Sequence, residues 1–283
     1  MSDKEKNATS MREAGMTLTV GFQGVGKTYQ NMHVISEYVK DKTYNRVKGR
    51  KCLIYDTNGE YTKEQFSNND IDNFEPKRIA LKDIADWCKS NIVECRRIDA
   101  KNVGIKEKKV ILEYLLKNFR NGLLVLEDIN TYVLSVTHME EVVGGIVNLR
   151  HRACDVIVSY QGLRAVEPRM FANARWMRMH QQNDLVEDVK GKVPNERVYK
   201  IAQLIVSNRY KNGSKRFFLY IVDRTKIEGQ FTKQEFIDAC KQYLNLNKKF
   251  VKQYCGINNC SEEDAIKAEI KNYFEEYYGN SKK

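Results

Sequence analysis

The stretch MTLTVGFQGVGKTY, Met16 to Tyr29, changes character twice. Met16 to Gly21 is a short β-favouring run that ends in glycine. Gly21-Phe22-Gln23-Gly24-Val25-Gly26-Lys27-Thr28 then fits the pattern GxxxxGK[ST] in full. From Thr28 to Val39 the apolar residues Met32, Ile35 and Val39 recur at helical spacing. A strand feeding a glycine loop that opens a helix is the context a phosphate-binding loop requires. The glycines let backbone N–H groups turn onto phosphate oxygens, and the helix adds its positive end. Lys27 is placed to neutralise β- and γ-phosphates and the Thr28 hydroxyl to ligate Mg²⁺. Gly21, Gln23, Gly24, Val25, Gly26 and Tyr29 complete the expected ATP contacts.

A chain of 283 residues suits one large α/β domain with a small appendix, and 42% hydrophobic content is enough for a core. The net charge of +11 points to an anionic partner, nucleic acid or an acidic protein surface. Seven cysteines, an odd and scattered set, do not form a disulfide framework, and Cys255 with Cys260 lacks the tight pairing of a zinc knuckle. Reduced thiols in a cytoplasmic protein are expected. The polar N-terminus MSDKEKNATSMREAG is no signal peptide, and no apolar run approaches the ~18 residues that span a bilayer.

Strand and helix signals alternate along the chain. CLIY (Cys52–Tyr55), LLVL (Leu123–Leu126), VIVSY (Val156–Tyr160), Ala174–Met179 and FFLYIV (Phe217–Val222) read as strands. Helical periodicity runs from near Lys82 to Ile92, from Glu107 to Phe119, from Met139 to Arg150 and from Glu196 to Tyr210, with Asn212-Gly213 as a stop. Thr57 to Lys77 is polar and reads as loop with a short helix. The alternation predicts a mostly parallel sheet flanked by helices. After Thr232 the strand signal vanishes, and Thr232–Glu235 and Ser261–Asp264 fit capping-box spacing. The expected organisation is a flexible tail over 1–15, a nucleotide-binding domain over 16–229 and a helical appendix over 230–283.

A phosphate loop needs a second acid at the end of a neighbouring strand, and LLVLED supplies Glu127 and Asp128 at the carboxyl edge of the sheet. Glu127 occupies the Mg²⁺-side position, and Asp128 falls where a water-activating acid is expected; alternatively Asp128 stays on the metal. Gln161 ends the VIVSY strand, where an amide can sense a γ-phosphate or position water. Arg150 and Arg152, just before that strand, are candidates to stabilise transition-state charge in their own or a neighbouring subunit.

"CLIYDTNGEY" resembles the second strand and Asp-x-x-Gly-Glu-Tyr turn of the HerA–FtsK superfamily of DNA-pumping ATPases. "LLVLEDI" is similar to their Walker B strand, and "NLRHRACDVIVSYQG" to their arginine-bearing helix end, sensor strand and terminal Gln. "GFQGVGKTY" and "VSYQGLRAVEPRMFANARWMRM" also resemble viral genome-packaging ATPases. The likeness covers about residues 16 to 225 and implies a P-loop ATPase of the ASCE, RecA-like class. It implies a homo-oligomeric ring of five or six subunits that couples ATP hydrolysis to translocation of double-stranded DNA without sequence preference. In that frame Lys27 and Thr28 bind ATP and Mg²⁺, Glu127 and Asp128 are the Walker B acids, Gln161 is the sensor, and Arg150 or Arg152 reaches the adjacent subunit. The compact chain has no nuclease domain and no membrane segment, which favours a motor that packages a genome in the host cytoplasm, docked on a capsid or portal.

Three basic loops are candidates for DNA contact: Lys40–Lys51 with Lys48 and Arg50, Gly104–Lys109 with Lys108, and Arg209–Arg216 with Arg209, Lys211 and Lys215. The aromatic tail, with Tyr273, Phe274, Tyr277 and Tyr278, reads as helix core or a docking face. Other readings are a nucleotide-dependent switch or assembly protein, a phage-assembly or conjugation-type DNA pump, and a small-molecule kinase. A GTPase would want an Asn/Thr-Lys-x-Asp guanine reader, and Thr225-Lys226-Ile227-Glu228 is a near miss carrying Glu.

Overall fold

The computed structural model describes residues 14–41, 48–133 and 136–280, with the side chains of 136–138 left aside. The expected tail up to residue 13 and the basic loop at 42–47 lie outside the described residues. Nine strands form one sheet: β1 (Met16–Val20), β2 (Lys51–Asp56), β3 (Lys77–Arg78), β4 (Cys95–Asp99), β5 (Gly122–Leu126), β6 (Asp155–Tyr160), β7 (Trp176–His180), β8 (Phe218–Val222) and β9 (Lys226–Gly229). Their order is β3-β4-β2-β5-β6-β1-β7-β8-β9. All pairings up to β7 are parallel, and β8 and β9 close the edge as an antiparallel hairpin. The α/β class with a mostly parallel sheet is therefore the observed one. One strand, β6, separates the strand feeding the glycine loop from the strand ending in the acids, the additional-strand order expected of the ASCE class.

Most of the strands read correctly are buried on both faces, because continuous apolar runs are what such burial requires, while β8 was read from FFLYIV although its outer face is half-buried. Leu53, Leu124, Val158, Leu18 and Met177 face one core; Cys52, Ile54, Leu123, Val125 and Ile157 face the other. The second core is covered by α1 (Lys27–Val39) through Met32 and Ile35, and by Phe66 of the short α2 (Lys63–Ser67). The first and larger core takes α3 (Ile84–Lys89), α4 (Ile105–Asn118), α5 (Val136–Asn148), α6 (Pro168–Asn173) and α7 (Glu196–Lys211).

Three strands escape the sequence reading. β4, CRRID, carries two arginines in its middle, yet Arg97 is buried and pairs with Asp56 of β2 at 3.0 Å. β3 is a two-residue edge strand of exposed cations. β9 follows a tight three-residue turn, 223–225 between the register partners Val222 and Lys226, in which Asp223 and Arg224 both adopt positive φ. The expected helix to Ile92 stops at Lys89, because buried Lys51 donates to the carbonyls of Trp87 (2.6 Å), Cys88 (2.9 Å) and Ser90 at its end.

The C-terminal helices α8 (Lys233–Leu246), α9 (Lys248–Asn258) and α10 (Glu262–Tyr277) pack on α7 and on one another. Thr232 Oγ1 accepts from the Glu235 amide at 3.1 Å while Glu235 accepts from the Thr232 amide at 2.7 Å, a reciprocal cap for α8. Tyr273 and Tyr277 are buried. The chain after α10 runs beside β9, with the Gly279 amide on the Ile227 carbonyl, and so covers that edge. All seven cysteines are free. Among the described residues no helix is long and apolar enough to cross a membrane.

Candidate functional site

Parallel strands deliver their last residues to one edge of the sheet, and the loops after β1, β2, β5 and β6 meet there around a cavity of about 710 Å³. Gly21 to Gly26 form its floor. Gly26 caps α1 at φ 89° and Gly24 lies at φ 86°, backbone that side chains other than glycine adopt only with strain. Lys27 folds back across the loop, its Nζ donating to the carbonyls of Gly21 and Phe22. Burial lowers its pKa, while Asp128, Glu127 and Glu60 oppose that shift. Gln23, Thr28 and Tyr29 line the cavity, and Val25 is buried beneath it.

The turn after β2 contributes more than its sequence announces. The Asp56 carboxylate accepts from the amides of Gly59 (2.8 Å), Glu60 (3.0 Å) and Tyr61 (3.1 Å), and its charge is matched by Arg97. That fold of the chain aims two side chains. Glu60 accepts from Thr28 Oγ1 at 2.9 Å, inside the cavity. Tyr61, fully buried, donates to Glu127.

Glu127 is 4% exposed and sits in a closed network. It accepts from Asn31 Nδ2 at 2.7 Å as well as from Tyr61. Burial raises its pKa, and the hydrogen bonds from Tyr61, Ser159 and Asn31 partly offset this. Asn31, one turn into α1, is the hub: its Nδ2 also reaches Ser159 Oγ at 3.2 Å, and its Oδ1 accepts from Arg178. Arg178 of β7 is wholly buried, with a second bond to Thr19 Oγ1 at 3.0 Å and with Nε and Nη1 lacking partners. The neighbouring His180 ring lies 3.1 Å from the Val25 carbonyl, and burial pushes its pKa down to about 3.

Asp128 lines the same cavity as Glu127, from a residue in the left-handed region (φ 42°). Its Oδ2 accepts from Gln161 Nε2 at 3.4 Å, and its Oδ1 is buried without a partner. Thr28 Oγ1 and the Glu60 carboxylate are hard oxygen donors suited to Mg²⁺, and the orphaned Asp128 oxygen beside them is free to take a proton or a cation. Among the described residues no group of three or more His, Cys, Asp or Glu could hold a metal ion.

Arg150 and Arg152 lie before β6, at the opposite edge of the sheet. Arg152 donates to the carbonyls of Leu116 and Lys117 and so closes the end of α4. Arg150 is exposed and lines a separate cavity of about 470 Å³ with Arg175 and Arg224. The arginine in the phosphate cavity is instead Arg216, whose guanidinium carbon stands 4.9 Å from the Tyr29 ring centroid.

The candidate DNA contacts are not brought into one stripe. Lys48 and Arg50 precede β2 at the amino edge, and Arg50 is held by Asp155 at 3.1 Å, Asn121 and Ala153. Lys108 donates to the Thr57 carbonyl. Arg209 pairs with Glu235 at 2.5 Å, Lys215 sits 4.1 Å over the Tyr210 ring, and Lys211 is exposed. The near-miss guanine reader falls on β9, whose Lys226 pairs with Val222 at the amino edge, away from the cavity.

Glu60, Asn31, Tyr61, Arg178 and Arg216 are the site residues that the motifs did not name. Only the Gly-Glu-Tyr of the turn carried a signal, in its likeness to a known turn.

No protein-family model and no curated protein sequence matches this chain. Among solved structures it is similar to the DNA-packaging ATPase B204 of Sulfolobus turreted icosahedral virus, at 16% identity and TM-score 0.45, over 77% of this chain and 98% of that one. The genome packaging NTPase B204 of Sulfolobus turreted icosahedral virus 2 with sulfate gives 16% and 0.44 over 76% and 95%. The N-terminal domain of zonular occludens toxin from Neisseria meningitidis gives 14% and 0.36 over 79% and 97%. Likeness at these scores carries no argument about activity; the fold class stands on the strand order itself.

Proposed function

We propose that this chain is an ATPase that drives DNA through a homo-oligomeric ring. The observation that carries the catalytic part is the convergence, on one cavity, of the glycine loop with Lys27, the Thr28–Glu60 pair and the Asp128–Gln161 pair. A loop of amides and one lysine holds a triphosphate, and carboxylates across from it serve cation binding and water activation.

The roles divide by where each group points. Thr28 and Glu60 would hold Mg²⁺, which would supply charge neutralisation at the phosphate oxygens. Asp128 accepts the proton of the attacking water, and Gln161 orients that water and Asp128 together. Glu127, on the metal side by its sequence position, also lines the cavity, and its bonds to Asn31 and Tyr61 fix α1 and the turn after β2 against β5. Arg150 is the trans-acting arginine, since Arg152 is committed to the end of α4.

The DNA part is supported by the +11 charge and by the family likeness of the turn, acid strand and sensor strand. The test is ATP turnover with and without double-stranded DNA, for the natural chain and for Lys27→Ala. DNA-stimulated turnover that Lys27→Ala abolishes is expected. Turnover that is GTP-selective and indifferent to DNA would overturn the reading in favour of a nucleotide switch.

A further inference from the structure

The phosphate cavity accounts for a triphosphate but not for the nucleoside attached to it. Strand order bears on the direction in which that nucleoside leaves. Asp128 and Gln161 end β5 and β6, on one side of β1. The γ-phosphate belongs beside them, because the attacking water must reach it. A base extending away from them would lie on the other side of β1, toward β7 and β8. β8 runs antiparallel, so its first residues return to this same edge; Phe218 pairs with His180, the last residue of β7. At the ~4.8 Å strand spacing, β8 is about 10 Å from β1.

What waits there is Arg216 and a second cavity. A Cβ built on Gly26 would lie 3.2 Å from Arg216 Cγ, so the arginine stem rests directly on the glycine loop. Its guanidinium stands over Tyr29, and Arg216 lines both the phosphate cavity and an adjoining one of about 740 Å³. That second cavity is lined by Phe217, Phe218 and Tyr220 and by Gln30 and Gln230. Gln30 is three residues into α1, about 4.5 Å along the helix from Lys27 at 1.5 Å per residue.

We infer that this second cavity is the nucleoside subsite: the base of the bound nucleotide passes over Gly26 beside Arg216 and is read by the Gln30 amide. A guanidinium plane and aromatic faces are the surfaces on which a nucleobase stacks. A carboxamide offers a donor and an acceptor together, the pair that adenine's amino group and ring nitrogen complement. Arg216 thus orients the nucleotide from within its own subunit, a role distinct from that of a trans-acting arginine. The inference rests on the nucleotide-binding part of the proposed function and is independent of DNA.

The experiment is equilibrium binding of ATP and of inorganic tripolyphosphate, each with Mg²⁺, to the full chain and to Gln30→Ala, Arg216→Ala and Lys27→Ala. Thermal unfolding and circular dichroism check that each variant is folded. Gln30→Ala and Arg216→Ala are expected to weaken ATP roughly tenfold, the equivalent of about 1.4 kcal/mol, and tripolyphosphate less than twofold. Lys27→Ala is expected to weaken both ligands alike. Equal loss of ATP and tripolyphosphate in Arg216→Ala would make it a phosphate contact and overturn the subsite, as would unchanged ATP affinity in both variants. Failure of the natural chain to bind either ligand would instead overturn the nucleotide site itself.

Discussion

Removing the Asn31 amide tests whether the buried network is one electrostatic unit. In Asn31→Leu, Arg178 keeps only Thr19 as an acceptor, and its Nε and Nη1 already lack partners. Glu127 loses a 2.7 Å donor and retains Tyr61 and Ser159. Two hydrogen bonds to charged groups are broken, each worth about 1.5–3 kcal/mol when buried, so the expected cost is about 3–6 kcal/mol. Against a total of about 5–15 kcal/mol for a folded domain, that is a large fraction.

The cause is separable from the cavity effect of a changed side chain. If the cost is an orphaned guanidinium, then Arg178→Met in the Asn31→Leu background removes the charge left unpaired. The double variant should then be more stable than Asn31→Leu alone, with a coupling of about 1–3 kcal/mol in the double-mutant cycle. Urea unfolding of all four proteins, followed by circular dichroism and by tryptophan fluorescence, measures it. Additive single costs, or an Asn31→Leu cost below about 1 kcal/mol, would refute the view that Asn31 ties Arg178 to Glu127.

Two further outcomes follow from other parts of the site. Glu60→Gln leaves the backbone amides of the turn on Asp56 and should preserve ATP affinity while lowering turnover by roughly 10²-fold or more, as loss of a charged catalytic group does; steady-state kinetics with parallel binding assays would show it, and unchanged turnover would remove Glu60 from the site. His180 is neutral in the fold, with its pKa depressed to about 3 from an unfolded value of about 6.5. The unfolded chain thus binds the extra proton first, and His180 makes stability fall as pH drops below about 6.5, by at most about 1.4 kcal/mol per pH unit, until the folded pKa is passed. His180→Gln, whose amide can still donate to Val25, should flatten that window in urea titrations run from pH 4.5 to 7.5, and an unchanged slope would count against a neutral buried ring.

Much of the sheet was legible because a strand buried on both faces needs an unbroken apolar run, as in LLVL and VIVSY. CRRID was not, since its arginine is buried only because Asp56 of another strand stands beside it. The same reason governs the site. The glycine loop, Lys27, Thr28, the acids after LLVL and Gln161 belong to local patterns in which neighbours in sequence act together. Glu60 meets Thr28 across 32 positions, Tyr61 meets Glu127 across 66, and Asn31 meets Arg178 across 147. No spacing rule reaches over such distances.

Sequence by itself determined the fold class and a phosphate-binding loop opposed by carboxylates, because backbone propensity, glycine freedom and apolar periodicity act over a few residues. Tertiary structure alone decided how the two carboxylates are held: both line the cavity, but Asp128 keeps an oxygen without a partner while Glu127 is bonded on all sides. Asp128 turns into the left-handed region and faces the open edge, while Glu127 is drawn into the network of Asn31 and Tyr61. It also decided that Arg216, not Arg150 or Arg152, stands over the loop in this chain, since an antiparallel strand brings it back to the edge where the parallel strands end. A charged side chain is placed by the partners that compensate it, and in this fold those partners come from distant strands.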